Sequence, residues 1–112
     1  MKLETIRKFA LSLPETTEEP HFDSGSYRVA GRIFVTVPPG ETHIHVFVSE
    51  AVREQALAMY PDFAEKLHWG AKVVGLRVTL AKAPAAAVKL LVRQAWEYRA
   101  SKGRAKRKTS RA

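Results

Sequence analysis

The last residues of the chain could bind a polyanion. Seven Lys and Arg side chains and no acidic one lie in residues 99–112. The whole chain has 19 basic and 11 acidic residues, so residues 1–98 keep 12 basic and 11 acidic residues and are nearly neutral. Basic side chains close to a phosphate backbone release counterions, which gives salt-sensitive affinity without sequence readout. The segment is therefore either an arm for nucleic acid or a solubilising extension.

The predicted strands carry a second set of residues that could bind nucleic acid. Exposed Phe and Arg side chains on an open sheet can stack on the bases and neutralise the phosphates of single-stranded nucleic acid. Arg28, Arg32, Phe34 and Phe47 would form such a surface if they share one face. The alternative is that a dimer partner or the connection at 14–25 covers the aromatic side chains, because phenylalanines seldom remain exposed together.

Two histidines could take part in a metal site. His43 and His45 stand two residues apart and therefore point to the same side of one strand. With His21, Asp23 or His68 they could ligate a transition metal, but no third ligand follows at a diagnostic spacing. We predict two half-exposed strand histidines and no metal site.

The other polar residues do not form a catalytic signature. The chain has no cysteine, which excludes disulfides and thiol catalysis. It has no nucleophile elbow, P-loop or dinucleotide-binding glycine pattern. The acidic residues at 15–23 are expected to form a solvated loop that faces Arg28 or Arg32; they are Glu15, Glu18, Glu19 and Asp23. We therefore predict no catalytic residue, no cofactor and a protein that is not an enzyme.

The elements that must position these residues follow from periodicity and from Pro and Gly. Apolar residues at helical spacing predict helices at 2–13, 50–60 and 84–100, with Ser49 as an N-cap. Strands are predicted at 26–30, 32–37 and 42–48 and over 71–80. The segment 14–25 is predicted as a polar connection, and 62–70 as one further helical turn. We expect Trp69 and Trp96 to be packed.

Alternation along the strands divides them into two faces. We expect one face to contact the helices; it carries Ile33, Val35, Val37, Ile44, Val46 and Val48. The other face then carries Arg28, Arg32, Phe34, Thr36, His43, His45, Phe47, Arg77 and Thr79.

The architecture that follows is α+β, with two layers. Helices cover one face of an antiparallel sheet, in the order α-β-β-β-α-β(-β)-α. Residues 1–100 form one domain, and residues 101–112 form a basic tail that we expect to be disordered.

Several stretches of the sequence resemble the MmcQ/YjbR family. They are "LSLPETTEE" at 11–19, "SYRVAGRIFVTV" at 26–37, "YPDF" at 60–63 and "LLVRQAWEYRAS" at 90–101. The resemblance spans about residues 1–101 and leaves out the tail. It implies a compact α/β fold similar to secretion chaperones, and a DNA-binding function.

We expect a small cytoplasmic module that binds DNA or RNA with low sequence preference and does not bind membranes. The expected contact residues lie on the last helix, the tail and the strands; they are Lys89, Arg93, Arg99, Lys102, Arg104, Lys106, Arg107, Lys108, Arg28, Arg32, Phe34 and Phe47. The alternative is a protein-interaction module that forms a homodimer and has no nucleic-acid role.

Overall fold

The computed structural model describes the backbone of residues 2–111 and the side chains of residues 2–102. These residues form three helices and six strands. In chain order they are α1 (Leu3–Ser12), β1 (Thr16–His21), β2 (Ser24–Val29), β3 (Arg32–Val37), β4 (His43–Val46), α2 (Glu50–Met59), β5 (Ala64–Trp69), β6 (Lys72–Thr79) and α3 (Ala85–Arg111).

The strands form one antiparallel sheet in the order β1-β2-β3-β4-β6-β5, with helices over one face. The predicted α+β class and two-layer arrangement are confirmed. Ser49 also acts as predicted, since its Oγ accepts a hydrogen bond from the backbone N–H of Val52 at 3.3 Å. The described part of α3 runs past residue 101, but side chains beyond Lys102 lie outside the described residues, so the prediction for the tail stays a prediction.

Two segments were predicted wrongly, and both are edge strands. Residues 16–21 form β1 instead of a connection, and residues 64–69 form β5 instead of a helical turn. An edge strand can expose both faces and needs only one hydrogen-bonded neighbour, so its sequence carries weak alternation. Pro20 is tolerated in β1 because a proline without an N–H fits an edge position. The prediction that the acidic residues face Arg28 or Arg32 is wrong for Glu18, which lies on β1 and pairs with Arg7 of α1 at 3.0 Å.

The core lies between the helices and one face of the sheet. On the sheet side it contains Val35 of β3, Ile44 and Val46 of β4, and Leu76 and Val78 of β6, all fully buried. On the helix side α3 contributes its apolar stripe, which is Val88, Leu91, Val92 and Ala95. The described chain therefore holds one continuous apolar core, and α3 spans it.

A β-bulge in β3 changes the predicted faces. Tyr27 pairs with Val35, whereas the next residue, Arg28, pairs with Ile33, so Phe34 is the extra residue. A bulge reverses the alternation beyond it. As a result Phe34 is completely buried and Arg32 lies opposite the buried Val29, on the helix side. The predicted outward positions of Phe34 and Arg32 are therefore wrong, and so is the helix-facing position of Ile33, which pairs with the outward-facing Arg28.

The strand register defines two ends of the sheet. The β2–β3 turn at 30–31 and the β5–β6 turn at 70–71 lie at one end. The β1–β2 turn at 22–23 and the connection from β6 to α3 lie at the opposite end. Helix α3 starts at that opposite end and runs back along the sheet. We call the first end, with Arg32, Lys72, Arg99 and Lys102, the basic end.

Gly75 is required where β6 crosses the end of β4. A Cβ atom at this position would lie 2.5 Å from the backbone oxygen of Val46 and 3.4 Å from Cδ1 of Phe47. The first contact involves backbone, which cannot turn away as a side chain can. We predict that Gly75→Ala lowers the free energy of unfolding by about 1–3 kcal/mol, measured by urea denaturation.

Gly25 in β2 is the matched control, because nothing lies within 4 Å of a Cβ placed there. Gly25→Ala should change the free energy of unfolding by no more than about 0.5 kcal/mol. Equal effects of the two substitutions would show that the close approach at Gly75 does not constrain the sheet.

Candidate nucleic-acid interface

The face of α3 that packs on the sheet also bears basic residues, and these lie at the basic end. The apolar stripe ends at Ala95, and the next positions at helical spacing are Arg99 and Lys102. Side chains three and four residues apart lie on one face of a helix. The packing of the stripe therefore determines where these two charges lie.

The guanidinium of Arg99 lies near two aromatic rings, and its Nε has no hydrogen-bond acceptor among the described residues. Its guanidinium carbon lies 5.6 Å from the ring centre of Phe47 and 5.5 Å from that of Tyr98. Its Nε is buried and donates to no acceptor in the described part of the chain. Burial lowers the pKa of Arg99, and the positive charge of Arg32 lowers that pKa further. An arginine stays protonated under such shifts, so the site keeps a charge and a free donor.

Lys102 continues the same cluster one turn later. Its Nζ lies 4.6 Å from the ring centre of Tyr98, on an exposed part of the helix. Within residues 2–102, none of the ion pairs of the protein includes Arg32, Arg99 or Lys102. These three side chains form the basic cluster, whose positive charge is uncompensated by the described side chains. Such a cluster is suited to an anion that accepts several hydrogen bonds, such as a phosphate.

The other predicted contact residues are partly engaged within the protein. Arg93 pairs with Glu97 at 3.4 Å on the exposed side of α3. Lys89 lies over the ring of Phe9 at 5.8 Å. These two cations lie along α3 before the basic end, so the structure does not join them to the basic cluster.

Arg28 belongs to the open face of the sheet. Its Nε donates to the hydroxyl of Ser26 at 3.2 Å, and a terminal nitrogen donates to the backbone oxygen of Pro20 at 3.3 Å. These bonds fix Arg28 across the β1–β2 pair, away from the basic cluster.

The predicted aromatic surface does not form. Phe34 has no exposed area and cannot stack on a base. Phe47 is half-buried, and the guanidinium of Arg99 lies over its ring. The four tail residues of the prediction are Arg104, Lys106, Arg107 and Lys108; their side chains lie outside the described residues.

The open face of the sheet is polar. His45 pairs with Thr36 on β3 and with Arg77 on β6, which confirms that these residues share a face. Nδ1 of His45 lies 3.2 Å from the hydroxyl of Thr36. Nδ1 of the second histidine, His43, lies 2.8 Å from the hydroxyl of Thr42. Across the described side chains, no group of three or more His, Asp or Glu residues converges as a metal site requires.

Trp69 is a candidate functional residue that the sequence pattern did not indicate. This side chain was expected to be packed, yet 82% of its surface is exposed at the end of β5. Trp96 was expected in the core; it packs against the core but is only half-buried, and its Nε1 donates to the backbone oxygen of Pro14 at 3.0 Å. One local feature of the sequence distinguishes Trp69 from Trp96: Trp69 stands directly before a glycine, Gly70. In the structure Gly70 has a φ of +63° and forms the hairpin turn.

Comparison with known proteins assigns the chain to a family. The family model described as YjbR matches residues 11–98, which is most of the chain. The chain belongs to the YjbR family. This confirms the resemblance inferred from the sequence.

A solved structure shares the fold of this YjbR chain. It is the Deinococcus radiodurans protein DR2400, which carries the family-model domain DUF419. The TM-score is 0.72 at 17% sequence identity, and the similarity covers 85% of this chain and 75% of that one. At this identity the comparison supports the fold alone. A search of curated proteins gave no match.

Among the described residues, no helix is both long enough and apolar enough to cross a membrane.

The environment of His45 predicts an acid-dependent loss of stability. Burial lowers the pKa of His45, and the charges of Arg77 and His43 lower that pKa further. The folded state therefore binds this proton less readily than the unfolded chain does. The stabilisation is present above the unfolded pKa of about 6.5 and is lost as pH falls through the folded pKa.

We predict that the free energy of unfolding falls between about pH 7.5 and pH 5, and that His45→Gln makes this fall smaller. Urea denaturation at both pH values measures the effect. The exposed His68 provides the control: His68→Gln should give the same decrease in the free energy of unfolding as the unmodified protein shows. An unchanged pH dependence in His45→Gln would exclude His45 as its source.

Proposed function

We propose that this YjbR protein binds nucleic acid through phosphate contacts, with little sequence preference. The observation that carries the proposal is the basic cluster, because none of the ion pairs within residues 2–102 includes Arg32, Arg99 or Lys102. Neighbouring positive charges without a carboxylate partner repel each other unless an anion offsets them. A phosphate at the basic end would offset them.

The composition of residues 99–112 supports a large anionic ligand over a small one. Five more basic residues, at 104, 106, 107, 108 and 111, follow the basic cluster within the bounds of α3. A series of cations along one helix matches a series of phosphates. Phosphate contacts position a protein on nucleic acid without reading its bases, so we infer low sequence preference.

The nearly neutral remainder of the chain limits where the ligand binds. Several of the other cations are already paired with acids, as in Arg7 with Glu18 and Arg77 with Glu65 at 3.5 Å. Charges on exposed pairs are screened beyond about 8 Å at physiological salt. We therefore infer that the basic end supplies most of the salt-dependent affinity.

Lys102 and Lys82 give a matched test, because both are exposed and they lie at opposite ends of the sheet. We predict that Lys102→Gln weakens binding to DNA of any sequence and lowers the slope of log K against log salt by about one. Lys82→Gln should leave the slope as in the unmodified protein. Fluorescence anisotropy of labelled oligonucleotides between about 50 and 200 mM salt measures both.

A combined variant extends the test to the tail within the full chain. Arg104, Lys106, Arg107 and Lys108 changed together to Gln should lower the slope by up to about four. Equal slopes for Lys102→Gln and Lys82→Gln, or no binding to DNA or RNA at about 50 mM salt, would contradict the proposal.

Self-association is a second candidate function, favoured by Phe22. This side chain is 92% exposed in the β1–β2 turn, at the end opposite the basic end. Its φ of +58° lies in the left-handed region, where a bulky side chain is strained. An exposed aromatic side chain at a strained position suits contact with a second protein surface, and we propose a second copy of this chain as that partner.

Phe22→Asn tests this candidate without disturbing the turn, because Asn adopts positive φ readily. We predict a dimer in sedimentation experiments at high protein concentration that dissociates in Phe22→Asn. Met59→Gln, at an exposed apolar position on α2, should keep the dimer. A monomer at all concentrations, or a dimer in both variants, would reject Phe22 as the contact.

A further inference from the structure

Trp69 is the largest side chain that the described surface leaves exposed outside the core. Its exposure is 82%, whereas Trp96 is half-buried and hydrogen-bonded to Pro14. A tryptophan is usually largely buried, so an exposed ring needs a reason. The ring lies at the end of β5, next to the turn at Gly70, so its faces are open to a flat ligand.

The surroundings of Trp69 are cationic. Lys72 pairs with Trp69 across the β5–β6 hairpin. Residues 66–73 contain no acid, and Lys66 of β5 is a second cation, on the face opposite Trp69. Glu65, the nearest acid along the strand, is engaged with Arg77 at 3.5 Å. An aromatic ring beside cations matches a ligand that has both flat rings and phosphates.

The hairpin lies at the same end of the sheet as the basic cluster. Strand β5 is three positions from β3 in the order β3-β4-β6-β5. Neighbouring strands lie about 4.8 Å apart, so the end of β5 is about 14 Å across the sheet from the start of β3. Trp69 alternates with Glu65 onto the open face, whereas Arg32 lies on the helix side, so a bound strand would pass around the basic end. One strand of nucleic acid has a phosphate about every 3.4 Å in duplex geometry, so a few nucleotides cover this separation.

We propose that Trp69 stacks on an unpaired base of single-stranded nucleic acid whose phosphates contact the basic end. This inference rests on the proposed function for the phosphate contacts and adds the base contact. Stacking on an aromatic ring tolerates every base, because every base has a flat face. A duplex keeps its bases stacked on each other, so Trp69 makes this protein prefer single strands.

The test uses the two tryptophans of the chain. In the variant Trp96→Phe, Trp69 is the only tryptophan, and its fluorescence reports its own surroundings. Titration with oligothymidylate of about 12 nucleotides, within the site size of single-strand binding folds, should quench this fluorescence. A duplex of the same length should bind with less quenching.

Affinity is measured separately in the protein with Trp96 intact, by anisotropy of labelled oligonucleotides. Trp69→Ala should lower the affinity for the single strand about tenfold and leave the affinity for the duplex unchanged. Trp69→Phe should keep most of the single-strand affinity. Because Trp69 is exposed, these variants are expected to fold.

The outcomes separate this inference from the proposed function. If Lys102→Gln weakens binding but Trp69→Ala binds single strands as the unmodified protein does, the base contact is rejected and the phosphate contacts stand. If no nucleic acid binds at low salt, both are rejected. If Trp69 fluorescence changes with protein concentration alone, the ring belongs to a contact between protein copies and the base contact is rejected.

Discussion

The packing of α3 across the sheet is the contact on which the rest of the structure depends. The apolar stripe of this helix is almost fully buried, and α3 packs mainly on β3, with further contacts to β2 and β4. Burial of a Val or Leu side chain contributes roughly 1.5–3 kcal/mol, so Val88, Leu91 and Val92 fix both the position and the direction of α3. Arg99 and Lys102 follow on the same face. Their place at the basic end is therefore set by apolar packing and not by a partner for their charge.

This arrangement has a cost in stability. Arg99 lies close to the charge of Arg32 and loses water on burial, and both effects lower the pKa of Arg99. Two neighbouring cations without a carboxylate among the described side chains repel each other. The rings of Phe47 and Tyr98 offset part of this cost through cation–π contacts. A bound anion would offset the remaining repulsion, and this is the physical basis of the proposed phosphate contacts.

Local sequence signals predicted the helices and the inner strands but not the details that define the surface. Periodicity and proline placed the three helices, and Ser49 caps α2 as predicted. The bulge at Phe34 has no local signature, because it arises from the pairing of β2 with β3, and it reversed the predicted faces of Phe34 and Arg32. Residues Arg99 and Lys102 were predicted as contacts from charge alone. Their relation to Phe47 and Tyr98 depends on how α3 crosses the sheet, which no single segment encodes.

The distances at the basic end bear on what kind of ligand can use it. The hairpin of Trp69 and the basic cluster lie on different elements of the basic end, and β5 is three strands away from β3 in the sheet. In the proposed complex a mononucleotide would contact one of these two groups but not both. In the proposed complex a chain of several nucleotides would contact both, and the second contact would be made at the high effective concentration that linkage provides. The proposed contacts would therefore favour longer ligands, although neither group distinguishes one base from another.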